Sequence, residues 1–247
     1  VSPLPAAATV PALLAEAQRR DPARPLVTFY DDATGERVEL SVVTTANWVA
    51  KTASLLVEEL DVERGDTVLV DLPTHWLTPV WLLACWTVGA VVAVPGTDAG
   101  ADPVVVVSGP DRLADHAAAS AGSAQVIGVS LRPLGGPFAE PLPPGVLDFA
   151  IAVPGQPDAF IPSDPPSAED PAFAAADGTR THADLAQAGD ASAERVLTDL
   201  SPTSDRGLAL LLGAVAHGGS TVWVRHPDVA GWEPRASQER AARVERA

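Results

Sequence analysis

Ser108 follows the β-branched run 104–107 and precedes Gly109, the nearest this sequence comes to a serine nucleophile on a strand-to-helix turn. The G-x-S-x-G pattern of such an elbow is absent, and a serine capping the next loop accounts for Ser108 without chemistry. The histidines His75, His116, His182, His217 and His226 fall at no H-x-x-x-H or H-E-x-x-H spacing. A zinc site would therefore have to be assembled from distant parts of the chain. Cys85 is the single cysteine; it lies in an apolar stretch, where a thiol is inert core material rather than a nucleophile. Trp76, Trp81 and Trp86 recur at steps of five, about 140° apart on a helix, so they form no single stacking face. These residues identify no catalytic group and no metal ligand.

The chain that must position them has 247 residues, 47% hydrophobic and 19% charged, which excludes a predominantly disordered protein. Its net charge of −16 argues against a nucleic-acid backbone or an anionic membrane surface as partner. One cysteine can form neither an internal disulfide nor a zinc cluster, so the expected compartment is cytoplasmic. Residues 1–20 lack a cationic start before their apolar residues and read as a lead-in to a short helix, not a targeting signal. The longest apolar run, 79–95, is shorter than the roughly 20 residues of a membrane helix.

The pattern along the chain alternates. Runs 26–30 and 37–40 flank turn residues and predict a hairpin. Ser41 caps a helix whose apolar positions Val42, Ala46, Val49, Ala53, Leu56 and Leu60 follow the helical period, with Asn47, Lys51, Glu58 and Glu59 on the solvated face. Asp66, in the turn 64–66, is expected to bond local backbone N–H groups. Strand 67–72, helix 80–88 (capped by Thr78, with Pro79 in its first turn and Gly89 at its exit) and strand 91–94 form a βαβ unit. Strand 104–107, helix 111–120 and strand 125–129 continue it. Residues 132–171 are proline-rich, with a short edge strand expected at 148–153. Strand 172–176, a helix from about Thr181, strand 195–200, helix 207–217 and strand 221–225 follow, and 234–247 reads as a surface helix. The expected architecture is one domain over 1–247, with two sheet–helix lobes at about 1–131 and 170–232 joined by the proline-rich segment. Its class is α/β: a layered, mainly parallel or mixed sheet with helices on both faces.

Over 38–95 the order and spacing of Leu40-Ser41, the helix to Leu60, Gly65-Asp66-Thr67-Val68, Leu72-Pro73, Trp86-Thr87-Val88-Gly89-Ala90 and the strand to Pro95 resemble the N-terminal portion of the AMP-forming acyl-CoA synthetases and their adenylate-forming relatives. The likeness resumes at 170–225. There Thr181-His182-Ala183-Asp184-Leu185 is similar to the Thr-His-x-x-Leu that opens the helix after the family's phosphate loop, while Arg195-Val196-Leu197 and Gly218-Gly219-Ser220-Thr221-Val222 match flanking strands. The resemblance implies the fold of the synthetase N-terminal domain.

The departures from the family are chemical. Its phosphate loop, T-S-G-S/T-T-G-x-P-K-G, brings many backbone N–H groups and a lysine to a polyanion. Here the corresponding stretch is Ala174-Ala175-Ala176 followed by Asp177, Gly178, Thr179, Arg180 and Thr181, with one glycine, no lysine and a carboxylate. Asp177-Gly178 is also a two-residue hairpin turn, and Thr181 with Asp184 a capping-box-like pair, so both have structural explanations. The family's aromatic-His pair falls on Thr203 and Ser204, and the sequence ends before the ribose-binding, hinge and lid segments that the resemblance would require for adenylation. The expectation is a truncated, non-catalytic relative without a cofactor, acting in binding or as a scaffold. The alternative is an enzyme of altered chemistry on an acyl or CoA-like ligand in the remnant cleft. Expected partners are an unidentified protein or small molecule, or a second copy through the apolar helices at 80–88 and 208–215, unless both helices are sandwiched inside the chain.

Overall fold

A computed structural model describes residues 9–120 and 123–247. Its elements, in chain order, are α1 (Val10–Arg20), β1 (Pro25–Asp31), β2 (Glu36–Ser41), α2 (Val42–Glu58), β3 (Thr67–Asp71), α3 (Leu77–Val88), β4 (Val91–Ala93), β5 (Val105–Ser108), α4 (Pro110–Ala119) and β6 (Gln125–Gly128). After these come β7 (Val146–Asp148), α5 (Phe149–Ala152), β8 (Pro171–Ala175), β9 (Gly178–Thr181), α6 (His182–Ala188), β10 (Arg195–Thr198), α7 (Asp205–His217), β11 (Ser220–Arg225), α8 (Trp232–Gln238) and β12 (Arg243–Glu245). The chain is mixed α/β with two mixed sheets.

Contacts divide it into two units. One holds residues 9–46, Thr74–Val80 and Ala183–Ala247, and contains a five-stranded sheet in the order β12-β10-β11-β1-β2. Only the hairpin pair β1–β2 is antiparallel there. Leu197, Val222, Val224 and Trp232 pack as a core cluster of this unit. The other unit, Asn47–Pro73 with Trp81–His182, contains a seven-stranded sheet in the order β7-β6-β5-β3-β4-β8-β9, parallel except for β9. Every residue of β4 and β5 is buried, which is why these strands read as unbroken apolar runs rather than as alternation.

Local chemistry sets the element ends. Ser41 Oγ accepts the Thr44 N–H at 3.2 Å, capping α2 as its sequence predicts. Asp66 Oδ2 accepts the Glu63 N–H at 2.8 Å, and Gly65 takes a left-handed φ of 91° in that turn, a conformation in which an L side chain is strained. Three elements differ from expectation. The α3 helix starts at Leu77, three residues before the expected start at 80, and the Leu77 N–H is accepted by the buried imidazole of His75, at Nδ1, at 3.2 Å. The strand expected at 148–153 stops at Asp148, because Asp148 Oδ1 accepts the Ala150 N–H at 2.9 Å and opens α5. The terminal helix ends at Gln238, and 243–245 instead form β12 alongside β10.

The two apolar helices expected as self-association surfaces are buried in the chain. Trp81 and Trp86 are fully buried, and Leu208 through Val215 are buried except Ala209. The one-sided test fails for both helices because each is covered around its circumference.

Candidate functional site at the carboxyl edge of the larger sheet

The stretch expected to be a phosphate-loop remnant is a tight β-hairpin. Its register pairs Ala175 with Gly178, Ala174 with Thr179, Phe173 with Arg180 and Pro171 with Thr181, so the two turn residues are Ala176 and Asp177, one position earlier than an Asp177-Gly178 turn. Gly178 opens β9 with φ 135°, a conformation that favours glycine. The Asp177 side chain is exposed and lies 3.6 Å from the Arg180 guanidinium. Asp177, Gly178, Thr179, Arg180 and Thr181 are thus brought together on the edge of a sheet, in an extended ladder, and no cradle of convergent backbone N–H groups forms among them.

A different place in the same unit has the geometry of a ligand site. The connection from β3 runs through α3 to β4 on one side, and that from β5 runs through α4 to β6 on the other. Adjacent strands whose connections diverge leave a crevice at their carboxyl ends, where open α/β sheets take ligands. Here the crevice encloses about 190 Å³, between Asp71-Leu72-Pro73, Gly109-Pro110-Asp111-Arg112 and Leu131. His116 on α4 reaches Asp71 at 2.7 Å, Nε2 to Oδ2, and both side chains are largely buried. A Cβ on Gly109 would stand 3.3 Å from both Leu131 and Pro73, so the small residue fits the narrow wall. Ser108 is fully buried with its hydroxyl donating to the Gly109 carbonyl at 3.0 Å, while α4 takes Gly109 as its N-cap with no side-chain bond, so the serine is engaged structurally but is not the expected cap. The Asp71–His116 pair was not legible from spacing, since 45 residues separate the partners.

Burial holds three further reactive side chains neutral. Burial pushes the Cys85 thiol up to about 12. Burial, reinforced by Arg225, pushes His75 down to about 3. Burial also lowers His182, to about 4, against the opposing pull of Asp170. Each is a core group at neutral pH. Among the described residues no group of three or more His, Cys, Asp or Glu could hold a metal ion, and no helix is long and apolar enough to cross a membrane.

No protein-family model matches the sequence. A TIGR03089 family protein of Mycobacterium tuberculosis is 39% identical over 243 residues, which is 94% of this chain and 96% of that one. The chain belongs to the TIGR03089 family. Its fold is that of the N-terminal domain of acyl-CoA synthetases. A fatty acyl CoA synthetase of Mycobacterium tuberculosis superposes with a TM-score of 0.73 at 14% identity, covering 96% of this chain and 48% of the other. The acetoacetyl-CoA synthetase of Streptomyces lividans gives 0.75 at 17% identity, over 98% and 42%. The N-terminal domain of FACL13 from Mycobacterium tuberculosis gives 0.71 at 15%, over 96% and 62%. This TIGR03089 chain therefore spans about half the length of those solved chains, and at such identities the likeness is one of fold.

Proposed function

We propose that this TIGR03089 protein is a non-catalytic member of the acyl-CoA synthetase fold, one that acts by binding and does not adenylate a carboxylate. The observation that carries the reading is the hairpin at 175–178. Adenylation requires preorganised donors around a polyphosphate and around the charge that develops on the α-phosphate. A two-residue turn bearing an exposed carboxylate beside Arg180 offers an anion repulsion and an already engaged cation. A binding or scaffold role is what the fold retains without those donors.

The expected result of a thermal-shift titration with Mg-ATP is a flat line. A ligand present at about 100 times its Kd adds roughly 2.7 kcal/mol, which in a chain of this size raises Tm by about 5–10 °C. A saturable upward shift of that order overturns the proposal.

The crevice between β3 and β5 favours a second reading, an enzyme of altered chemistry on an acyl or CoA-like ligand. Its support is the Asp71–His116 pair at a switch point, Asp71 lining the crevice together with Arg112. Saturable stabilisation by coenzyme A that disappears in His116→Ala would favour it over pure scaffolding.

A further inference from the structure

The segment 157–170 forms a strap across the end of α2, within the unit of the larger sheet. Pro157, Pro162, Pro165 and Pro166 stiffen it, since each fixes one backbone dihedral. It is pinned at both ends. Lys51 Nζ pairs with Asp158 at 2.9 Å and reaches the Pro154 carbonyl at 3.3 Å. Arg64 pairs with Asp164 at 2.9 Å and forks onto Asp170 at 2.6 and 2.9 Å. That fork, with the Ser167 contacts at 2.8 Å, holds the Asp170 carboxyl well below the usual carboxylate range. Between the pins a groove of about 520 Å³ opens, a volume typical of sites that receive a ligand or side chains.

The groove has an apolar floor and an acidic rim. Val57 and Phe160, both partly exposed, form its apolar surface with Val62 and Val88 buried behind them, and Ile161 in the lining is 90% exposed. Glu58, Asp61 and Glu63 line the rim, and among the described residues none of their carboxylates has an ion pair. Arg64, the cation of the lining, is taken up by Asp164 and Asp170. The last turn of α2 contains no basic residue, so its negative carbonyl end adds to the same field. Like charges gathered at a helix C-terminus are unfavourable in the isolated chain. A cation in the groove would relieve them.

We infer that this groove docks a basic, aliphatic peptide segment of another protein, with arginine or lysine against Glu58, Asp61 and Glu63 and an aliphatic side chain against Ile161 and the floor. A second copy of this chain is disfavoured by its net charge of −16, and a small cation would leave the apolar surface uncovered. The inference deepens the binding reading above but stands on different residues: ATP binding would overturn that reading and leave the groove untouched, and failed docking would leave the absence of adenylation untouched.

The test is fluorescence anisotropy on the full chain with three labelled octapeptides, alternating Arg/Leu, Arg/Ser and Glu/Leu. The Arg/Leu peptide is expected to bind saturably, and more tightly than the other two. Glu58→Lys with Glu63→Lys, and separately the exposed change Ile161→Asp, should each weaken it roughly tenfold. Glu140→Lys with Glu233→Lys, an equal change in net charge on exposed sites elsewhere, should leave it within about twofold. Circular dichroism melts confirm that each variant folds. No saturable Arg/Leu binding, equal affinity for Arg/Ser, or equal loss in the Glu140/Glu233 control overturns the inference.

Discussion

Gly213→Ala is expected to destabilise the protein by about 3 kcal/mol, a fall in Tm of roughly 6–12 °C for a chain of this size. Gly213 lies within α7, and a Cβ there would sit 2.2 Å from the Asp190 carbonyl oxygen and 2.7 Å from its nitrogen. The approach is reciprocal, because a Cβ on Gly189 would stand 3.0 Å from the Gly213 nitrogen. The Asp190 backbone has nowhere to retreat. Its N–H donates to the Ala209 carbonyl at 2.8 Å, and its carboxylate accepts from Arg206 at 2.7 Å and Arg243 at 3.0 Å. Those partners hold the carboxyl below its usual range against the opposing effect of burial. Intrinsic preference predicts the opposite sign, since alanine is favoured over glycine inside a helix by about 1 kcal/mol. Urea denaturation therefore separates the two: a Cm above that of the parent protein would show that the close packing is not there. Gly155→Ala, with nothing near its Cβ, serves as the near-neutral control.

Glu239→Gln is expected to cost about 3 kcal/mol at neutral pH, as removal of one partner from a buried ion pair does. The Glu239 side chain is 4% exposed and Arg195 beside it 16%. Its carboxylate accepts from Arg195, from the Tyr30 hydroxyl and from Arg37 Nε, the last at 3.0 Å. Burial works to raise its pKa, but the donors from Tyr30, Arg195 and Arg37 prevail and hold it below the usual glutamate range. Because the folded pKa is the lower one, the stabilisation is complete above the unfolded value and drains away as pH falls through the folded value. The gap between parent and variant in urea Cm should thus be widest near pH 7 and narrow below about pH 4.5. Glu39→Gln, a half-exposed acid on the same arginines, should cost about 1 kcal/mol or less. A Glu239 variant as stable as the parent at pH 7, or a gap that widens in acid, would contradict this assignment.

Short-range chemistry was readable from the sequence and long-range pairing was not. The Ser41 cap, the Asp66 turn and the valine-rich strands β4 and β5 depend on neighbours within a few residues, and each lies within a residue of where the pattern puts it. The three-residue strand β12 exists through its pairing with β10, and nothing in 243–245 alone distinguishes strand from helix end. Glu239 meets Tyr30 and Arg37 across about two hundred residues, and Asp71 meets His116 across 45; no local period encodes either. The apolar breadth of the 80–88 and 208–215 segments was visible, but apolar all round means buried or partnered. The burial of Trp81, Trp86 and Leu211 decides it. The hairpin at 175–178 was legible as a turn, and its register shift by one residue comes from the pairing of Ala175 with Gly178.

The measurement that bears most directly on the proposal that this chain does not adenylate is ATP–pyrophosphate exchange, run with labelled pyrophosphate, Mg-ATP and a panel of carboxylic acids from acetate to long-chain fatty acids. Reversible adenylate formation would move label into ATP, so the expected result is incorporation no higher than in protein-free blanks for every acid. Exchange that saturates with any one carboxylate, and that tracks protein concentration, would show that this chain adenylates after all and would contradict the account.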